Sequence, residues 1–221
     1  MATDTAVRPD TTDMLAIHNA FRRNLGDAPT HIESARDGER VELIRNFYDS
    51  LLGLLHVHHT AEDELVYPVL VERAPGKADT VLRVGAQHRD VDGAVKNAHD
   101  RLEEWQLDDA STGQKVAEAL VALGRALDEH LSDEERVVLP VAAEHMFVDE
   151  WSALPGHAMR TYPGDKIWLA LGLVRENMTQ EQRDAMLAGM PPPLVEMWTS
   201  MGLRAFTELV AEIREPRAQR N

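Results

Sequence analysis

Apolar residues recur every three or four positions along most of this chain, which is the spacing of amphipathic helices rather than of strands. A first helix starts near Thr12 or Asp13, either of which can cap it, and runs through Met14, Leu15, His18, Phe21 and Leu25. The Gly26-Asp27-Ala28-Pro29 cluster stops it. A second helix builds up after Gly38, with Phe47, Leu51, Leu54, Leu55, His58, Glu62, Leu65 and Val69 on one face. Ala74-Pro75-Gly76 breaks it. A third covers Ala78 to Trp105, with Val81, Val84, His88, Val91, Asp92, Val95, His99 and Leu102 on one stripe. A fourth begins near Ser111 and carries Val116, Leu120, Leu123, Leu127, His130, Glu134, Val137 and Val141. Short links between long amphipathic helices predict an all-α fold, an up-and-down antiparallel four-helix bundle over residues 12–146.

The ends read differently. Residues 1–11 are polar, carry Pro9 and are expected to form a loose arm. Residues 147–221 form a C-terminal helical appendage. Thr179-Gln180-Glu181-Gln182 is a capping box for a short helix ending near Gly189. After the rigid Pro191-Pro192-Pro193 break, a last helix places Leu194, Trp198, Met201, Ala205, Leu209 and Ile213 on one face. Residues 146–221 hold seven of the nine methionines and three of the four tryptophans, which most simply form the appendage core. The last helix is also a candidate homo-oligomer contact. All the principal polar core residues precede the appendage, so it is expected to be dispensable for any ligand they hold.

Within the bundle, the apolar faces carry a polar set that repeats. His58, Glu62 and Pro68 recur as His130, Glu134 and Pro140, all three at one constant offset. His18 precedes the first set and His88 the second. The halves therefore read as a duplicated helix pair. On a helix, residues i and i+4 share a face, so each H-x-x-x-E projects an imidazole and a carboxylate side by side into the core. Burying two carboxylates among leucines and valines is costly unless their charge is compensated. No lysine or arginine repeats on those faces. A pair of metal ions supplies the missing charge, and a duplicated helix pair is how a bundle builds a two-metal site.

Composition narrows the metal and the partners. The chain has no cysteine, so thiolate sites and thiol nucleophiles are excluded. Imidazole and carboxylate donors suit iron, manganese or zinc. Six or more of them with two bridging carboxylates suit two octahedral ions, with iron the best fit. The net charge of −15 argues against nucleic acid as a partner. The first residues carry no secretory pattern and no run of about 18 apolar residues occurs, so a cytoplasmic protein without a membrane span is expected.

The arrangement of a lone histidine, H-x-x-x-E, a second lone histidine and H-x-x-x-E, each H-x-x-x-E followed by a proline, resembles the hemerythrin-like (HHE cation-binding) family over about residues 12–146. The resemblance implies that His18 and His58 hold one iron, His88 and His130 the other, and that Glu62 and Glu134 bridge them. Oxygen-carrying members have a second histidine four residues after the one on the third helix, and here that position is Asp92. Two roles are open to it: ligand to the iron of His88, or partner of a cation such as Arg22, which takes the equivalent place in the first half. A carboxylate there favours ferric iron, so redox chemistry is expected ahead of reversible oxygen carriage.

Other residues have lesser places. His56 points outward. His59 flanks the site, either supporting it or facing solvent. His99 is a core histidine. Tyr67 is a packing residue, and Tyr48 is left open. One acid of Asp63-Glu64 or Asp133-Glu135 is available to orient a ligand histidine.

The functional expectation is a non-heme di-iron protein that handles oxygen, hydrogen peroxide or nitric oxide in stress defence or sensing. The chain has no nicotinamide or flavin fingerprint, so the electron donor is external. The competing readings are oxygen or iron binding without turnover, and an oxidase or oxygenase acting on an organic substrate lodged between bundle and appendage.

Overall fold

In a computed structural model, described over residues 7–214, the chain is built from helices, with no strand among the described residues. The bundle consists of α1 (Met14–Gly26), α3 (Gly38–Leu65), α6 (His88–Glu104) and α7 (Ala110–Asp133). The hydrophobic periodicity places these four correctly. Short helices extend or join them: α2 (Ala28–Glu33), α4 (Tyr67–Arg73), α5 (Ala78–Ala86) and α8 (Leu139–His145). Helix α2 falls where a stop was expected. Pro29 sits in its first turn, where no backbone N–H is needed, so the proline that ends α1 also starts α2.

Each of the two long histidine-bearing helices is disturbed just past its glutamate. Pro68 and Pro140 lack an N–H and crowd the carbonyl four residues back. The first half responds with a break at Val66, whose N–H still reaches the Glu62 carbonyl at 2.8 Å. The second half responds with one wide π-type turn, Glu134–Val138, before α8. Such turns re-aim side chains, and this one begins at Glu134. The expected third helix is likewise divided at Gln87, which leaves His88 opening α6.

The appendage comprises α9 (Val148–Trp151), α10 (Ala153–Thr161), α11 (Ile167–Glu176), α12 (Gln180–Gly189), α13 (Pro192–Met197) and α14 (Leu203–Arg214). Thr179 and Gln182 form the expected capping box at the start of α12. A wide turn at Trp198–Gly202 joins α13 to α14. The appendage has no core of its own. Leu169, Leu171, Leu173, Trp198 and Phe206 belong to the same buried cluster as Phe21, Leu51 and Leu55 of the bundle. Helix α10 lies on α3, where the Tyr162 hydroxyl donates to the Ser50 carbonyl at 3.0 Å.

Residues 1–6 of the expected loose arm lie outside the described residues. The rest of it is tied down: the Val148 N–H donates to the Val7 carbonyl at 3.0 Å, and the Arg8 guanidinium donates to the Met146 carbonyl at 2.9 Å. Among the described residues no helix is long and apolar enough to cross a membrane.

Candidate metal centre

Helical periodicity sends His18, His58, Glu62, His88, His130 and Glu134 to the bundle interior, and all six are buried there. They form two abutting groups. His18, His58, Glu62 and Glu134 can offer donor atoms within 4.8 Å of one another, as can His59, Glu62, His88 and His130. Glu62 is common to both. Its Oε1 lies 3.3 Å from His58 Nε2 and its Oε2 lies 3.7 Å from His88 Nε2. Glu134 Oε2 is 3.5 Å from His18 Nε2 and 3.7 Å from His130 Nε2.

The outer nitrogens are held by the opposite half. His18 Nδ1 lies 2.8 Å from Glu135, and His88 Nδ1 lies 2.9 Å from Asp63. Asp63 and Glu135 each follow directly on a core glutamate and are related by the offset that relates Glu62 to Glu134, so the duplication covers these supporting contacts too. An ionised carboxylate only accepts, so each of these imidazoles donates through Nδ1 and turns a bare Nε2 lone pair inward. Arg22 extends the first contact, donating Nη1 to Glu135 at 2.5 Å and Nε to Asp128 at 2.7 Å. Hydrogen bonds from His18 and Arg22 hold the Glu135 carboxyl down at about 2. His130 turns its Nδ1 to the Gln87 carbonyl oxygen at 3.3 Å.

This donor set lacks donors to match it. His18 Nε2, His58 Nε2, both oxygens of Glu62 and Glu134 Oε2 are buried with no hydrogen-bond partner. Leaving even one such group unpaired costs about 1–3 kcal/mol. Burial, reinforced by the neighbouring imidazoles, pushes His58 well below the ordinary histidine value, and it takes His130 down to about 3. These rings are therefore neutral and able to ligate. Burial raises Glu62 well above the ordinary carboxylate range, with the Glu134 charge adding to it, and burial raises Glu134 also. Carboxylates strained in this way are what a cation stabilises. The residues fit a bound metal cation.

Two residues depart from the sequence reading. His59 is not solvent-facing. It is buried, stacks on His88 with ring centroids 4.1 Å apart and planes 12° apart, and both of its nitrogens are unpartnered. The adjacent His58-His59 pair was the signal that could have found it. Asp92, in contrast, does not join either group. It lies one turn beyond His88 at the exposed rim, and burying it would add a third carboxylate beside Glu62 and Glu134. Nor does it pair with Arg22, whose guanidinium is taken by Asp128 and Glu135.

Tyr67 packs edge-on against His88, with ring centroids 5.4 Å apart. Its hydroxyl is buried and unpartnered, and burial together with the Glu134 and Glu62 charges raises its pKa far above the usual phenol value. His56 is exposed, as expected. His99 is half-exposed and paired with Asp49 at 3.2 Å, so it is not a core histidine. Tyr48 is fully buried, bonded to His31.

An all-α bundle that buries six histidine and glutamate side chains together, with inward atoms of His18, His58, Glu62 and Glu134 left unpartnered, defines a cation-binding domain of the carboxylate-and-imidazole type. The Hemerythrin HHE cation binding domain matches residues 10–142, more than half of the chain, and the protein belongs to that family. Searches of the curated proteins and of the solved structures returned no match.

Proposed function

We propose that the protein holds two non-heme iron ions at this centre and uses them to react with small oxidants, namely oxygen, hydrogen peroxide or nitric oxide. In this reading His18, His58 and Glu134 would hold one ion, His59, His88 and His130 the other, and Glu62, which belongs to both groups, would serve both. The observation that carries it is the set of bare, buried lone pairs on His18, His58, Glu62 and Glu134, which hydrogen bonding leaves unused. Bound iron would supply the one-electron redox chemistry and the open coordination position.

The chain's own residues do the rest. Asp63 and Glu135 fix the tautomers of His88 and His18, so that Nε2 faces the metal at any pH where those acids are ionised. Phe21 packs beside His58, with ring centroids 5.5 Å apart, and keeps bulk water from that ring. Tyr67 keeps its proton at Oη next to Glu134 and so offers one hydrogen-bond donor in an otherwise acceptor-rich site. The appendage packs directly on the bundle, with the Tyr162 ring against Gly53, which favours small ligands over an organic substrate lodged between the two.

The test is metal analysis of the purified protein, followed by rapid mixing of the reduced, iron-loaded form with oxygen, peroxide and nitric oxide in turn. Consumption of at least one oxidant over repeated cycles is expected. Reversible spectral changes without consumption would favour storage or sensing. A tightly held zinc with no uptake of iron would reject the reading.

A further inference from the structure

The duplication that builds the metal centre also builds two equivalent cavities beside it, and of these two one has a histidine of the centre in its wall. Beside His88 lies a cavity of about 340 Å³ between Asp63, Tyr67, Leu82, Gly85 and Asp92, and His88 itself forms part of its wall. A second cavity of about 170 Å³ is lined by Thr12, Leu15, Glu135 and Leu139. Four residues of each are counterparts under the same repeat. Asp63 and Tyr67 correspond to Glu135 and Leu139 in the second half, at the offset of the H-x-x-x-E motifs. Leu82 and Gly85 correspond to Thr12 and Leu15 in the first half, at the offset that relates His88 to His18. The first cavity reaches a metal-facing histidine and the second does not: His18 is fully buried and forms no part of its wall.

Two exchanges account for the difference. Where the first half has Leu15, the second has Gly85, and the Tyr67 ring lies so close to Gly85 that an added Cβ would sit 3.1 Å from it. A side chain there would displace the ring, so glycine is what lets Tyr67 occupy the wall without closing the gap. Where the first half has Arg22, bridging Glu135 and Asp128, the second has Asp92. The guanidinium thus clasps the Glu135 that holds His18, whereas Asp63 is 54% exposed with His88 as its partner.

We propose that ligands reach the metal pair through the mouth beside His88, and that Gly85 and Asp92 select this approach over its pseudo-symmetric twin. This rests on the di-metal reading above. The mouth carries the carboxylates of Asp63 and Asp92 against the single guanidinium of Arg89, so it admits small neutral molecules more readily than anions. That is the charge class of a diatomic gas or of hydrogen peroxide, and it makes Asp92 a specificity residue rather than a ligand.

The experiment uses the full-length protein, loaded with iron, with metal content measured first. A wild type that holds no metal pair fails the earlier reading before any rate is compared. Nitric oxide binding to the ferrous protein is then followed by stopped flow. Leu82→Trp narrows the open mouth from an exposed position, and Thr12→Trp does the same at the closed one. At unchanged iron content, Leu82→Trp should slow binding roughly tenfold and Thr12→Trp should leave it unaltered. If Thr12→Trp slows binding as much, or if neither variant does, the proposed route is wrong. Asp92→Asn supplies the second arm. It should speed azide binding to the ferric protein several-fold and leave the nitric oxide rate in place. An azide rate indifferent to Asp92 would overturn the charge selection.

Discussion

His88 and His130 point their Nε2 atoms at each other across 3.2 Å, while each turns its Nδ1 to an oxygen of its own. With both Nδ1 protons committed to Asp63 and Gln87, two lone pairs face one another in a buried site. A cation between or beside them turns that repulsion into ligation. Removal of metal should therefore lower stability by several kcal/mol, in keeping with about 3 kcal/mol for each buried charged group left uncompensated. Thermal unfolding of the chelated and reloaded protein checks this. Equal melting temperatures at saturating iron would show that the donors are satisfied without metal.

Glu62 and His59 should behave differently on replacement. Glu62 belongs to both donor groups, so Glu62→Ala is expected to empty the centre of nearly all its iron. His59 belongs to one, so His59→Leu should retain about one ion per chain, its neighbours losing a ligand but no bridge. Iron per chain by elemental analysis, on folded protein, separates the two. Full iron content in His59→Leu would remove His59 from the ligand set.

The supporting carboxylates offer a finer test. Asp63→Asn and Glu135→Gln keep the shape but lose the charge that fixes the Nδ1 proton of His88 and His18. Each should weaken iron binding by about 10–100-fold, the usual effect of losing an outer-shell partner. Competition against a chelator of known affinity measures it. Affinities within twofold of wild type would mean that the main chain and packing alone orient the rings.

Much of this site was legible because one rule governs it. Residues four apart share a helical face, so the two H-x-x-x-E motifs and the two lone histidines could be placed without coordinates. His59 escaped because a residue adjacent to a ligand is turned about 100° around the helix, by the 3.6-residue period. That rotation aims it at α6, where His88 supplies a stacking partner, and no property of the α3 sequence alone reveals α6. Asp92 was misjudged by the same rule. Its spacing from His88 was right, but one turn further along α6 the chain has reached the exposed rim. The appendage shows the limit of amphipathic pattern: the stripe of Trp198 and Ile213 shows that a face must be buried, not that it packs on α11, which in turn lies on α1 and α3.

That shared core changes what truncation should do. Residues 147–221 were expected to be dispensable for metal binding because all the ligands precede them. The buried cluster joining Leu169, Leu171 and Trp198 to Phe21 and Leu51 means that a chain ending near His145 exposes a wide apolar face. Aggregation or loss of cooperative unfolding is the expected result. Gly172→Ala probes the packing within the appendage instead. Its new methyl would overlap the Phe206 ring, which makes the residue a close-approach glycine between α11 and α14. A destabilisation of about 1–3 kcal/mol is expected from such overpacking, by urea unfolding. A soluble, cooperatively folded truncation with full iron would show that the appendage is an independent addition after all.

The last prediction concerns a buried pair away from the metal. His31 Nδ1 lies 2.8 Å from the Tyr48 hydroxyl, which donates its own proton to the Asn24 carbonyl at 3.0 Å. The hydroxyl proton is thus spoken for, and His31 donates to it as a neutral ring. Burial, aided by Arg40 and Arg214, holds His31 down to about 4, against an ordinary value of 6.5. As pH falls through 6.5, unfolded chains take up a proton on His31 while folded ones do not, until about pH 4. Its contribution is therefore whole above pH 6.5, declines through the window between, and levels off below it. The decline can reach about 3 kcal/mol by the linkage between a pKa difference and folding free energy. His31→Gln keeps a donor for Tyr48 and removes the titration. Urea unfolding from pH 7 to about pH 4.5 should show wild type losing stability faster than His31→Gln, with the gap widening toward acid. Because both chains share the metal ligands, those cancel in the difference. Parallel curves across that range would mean that His31 takes up its proton equally in the folded and unfolded chains.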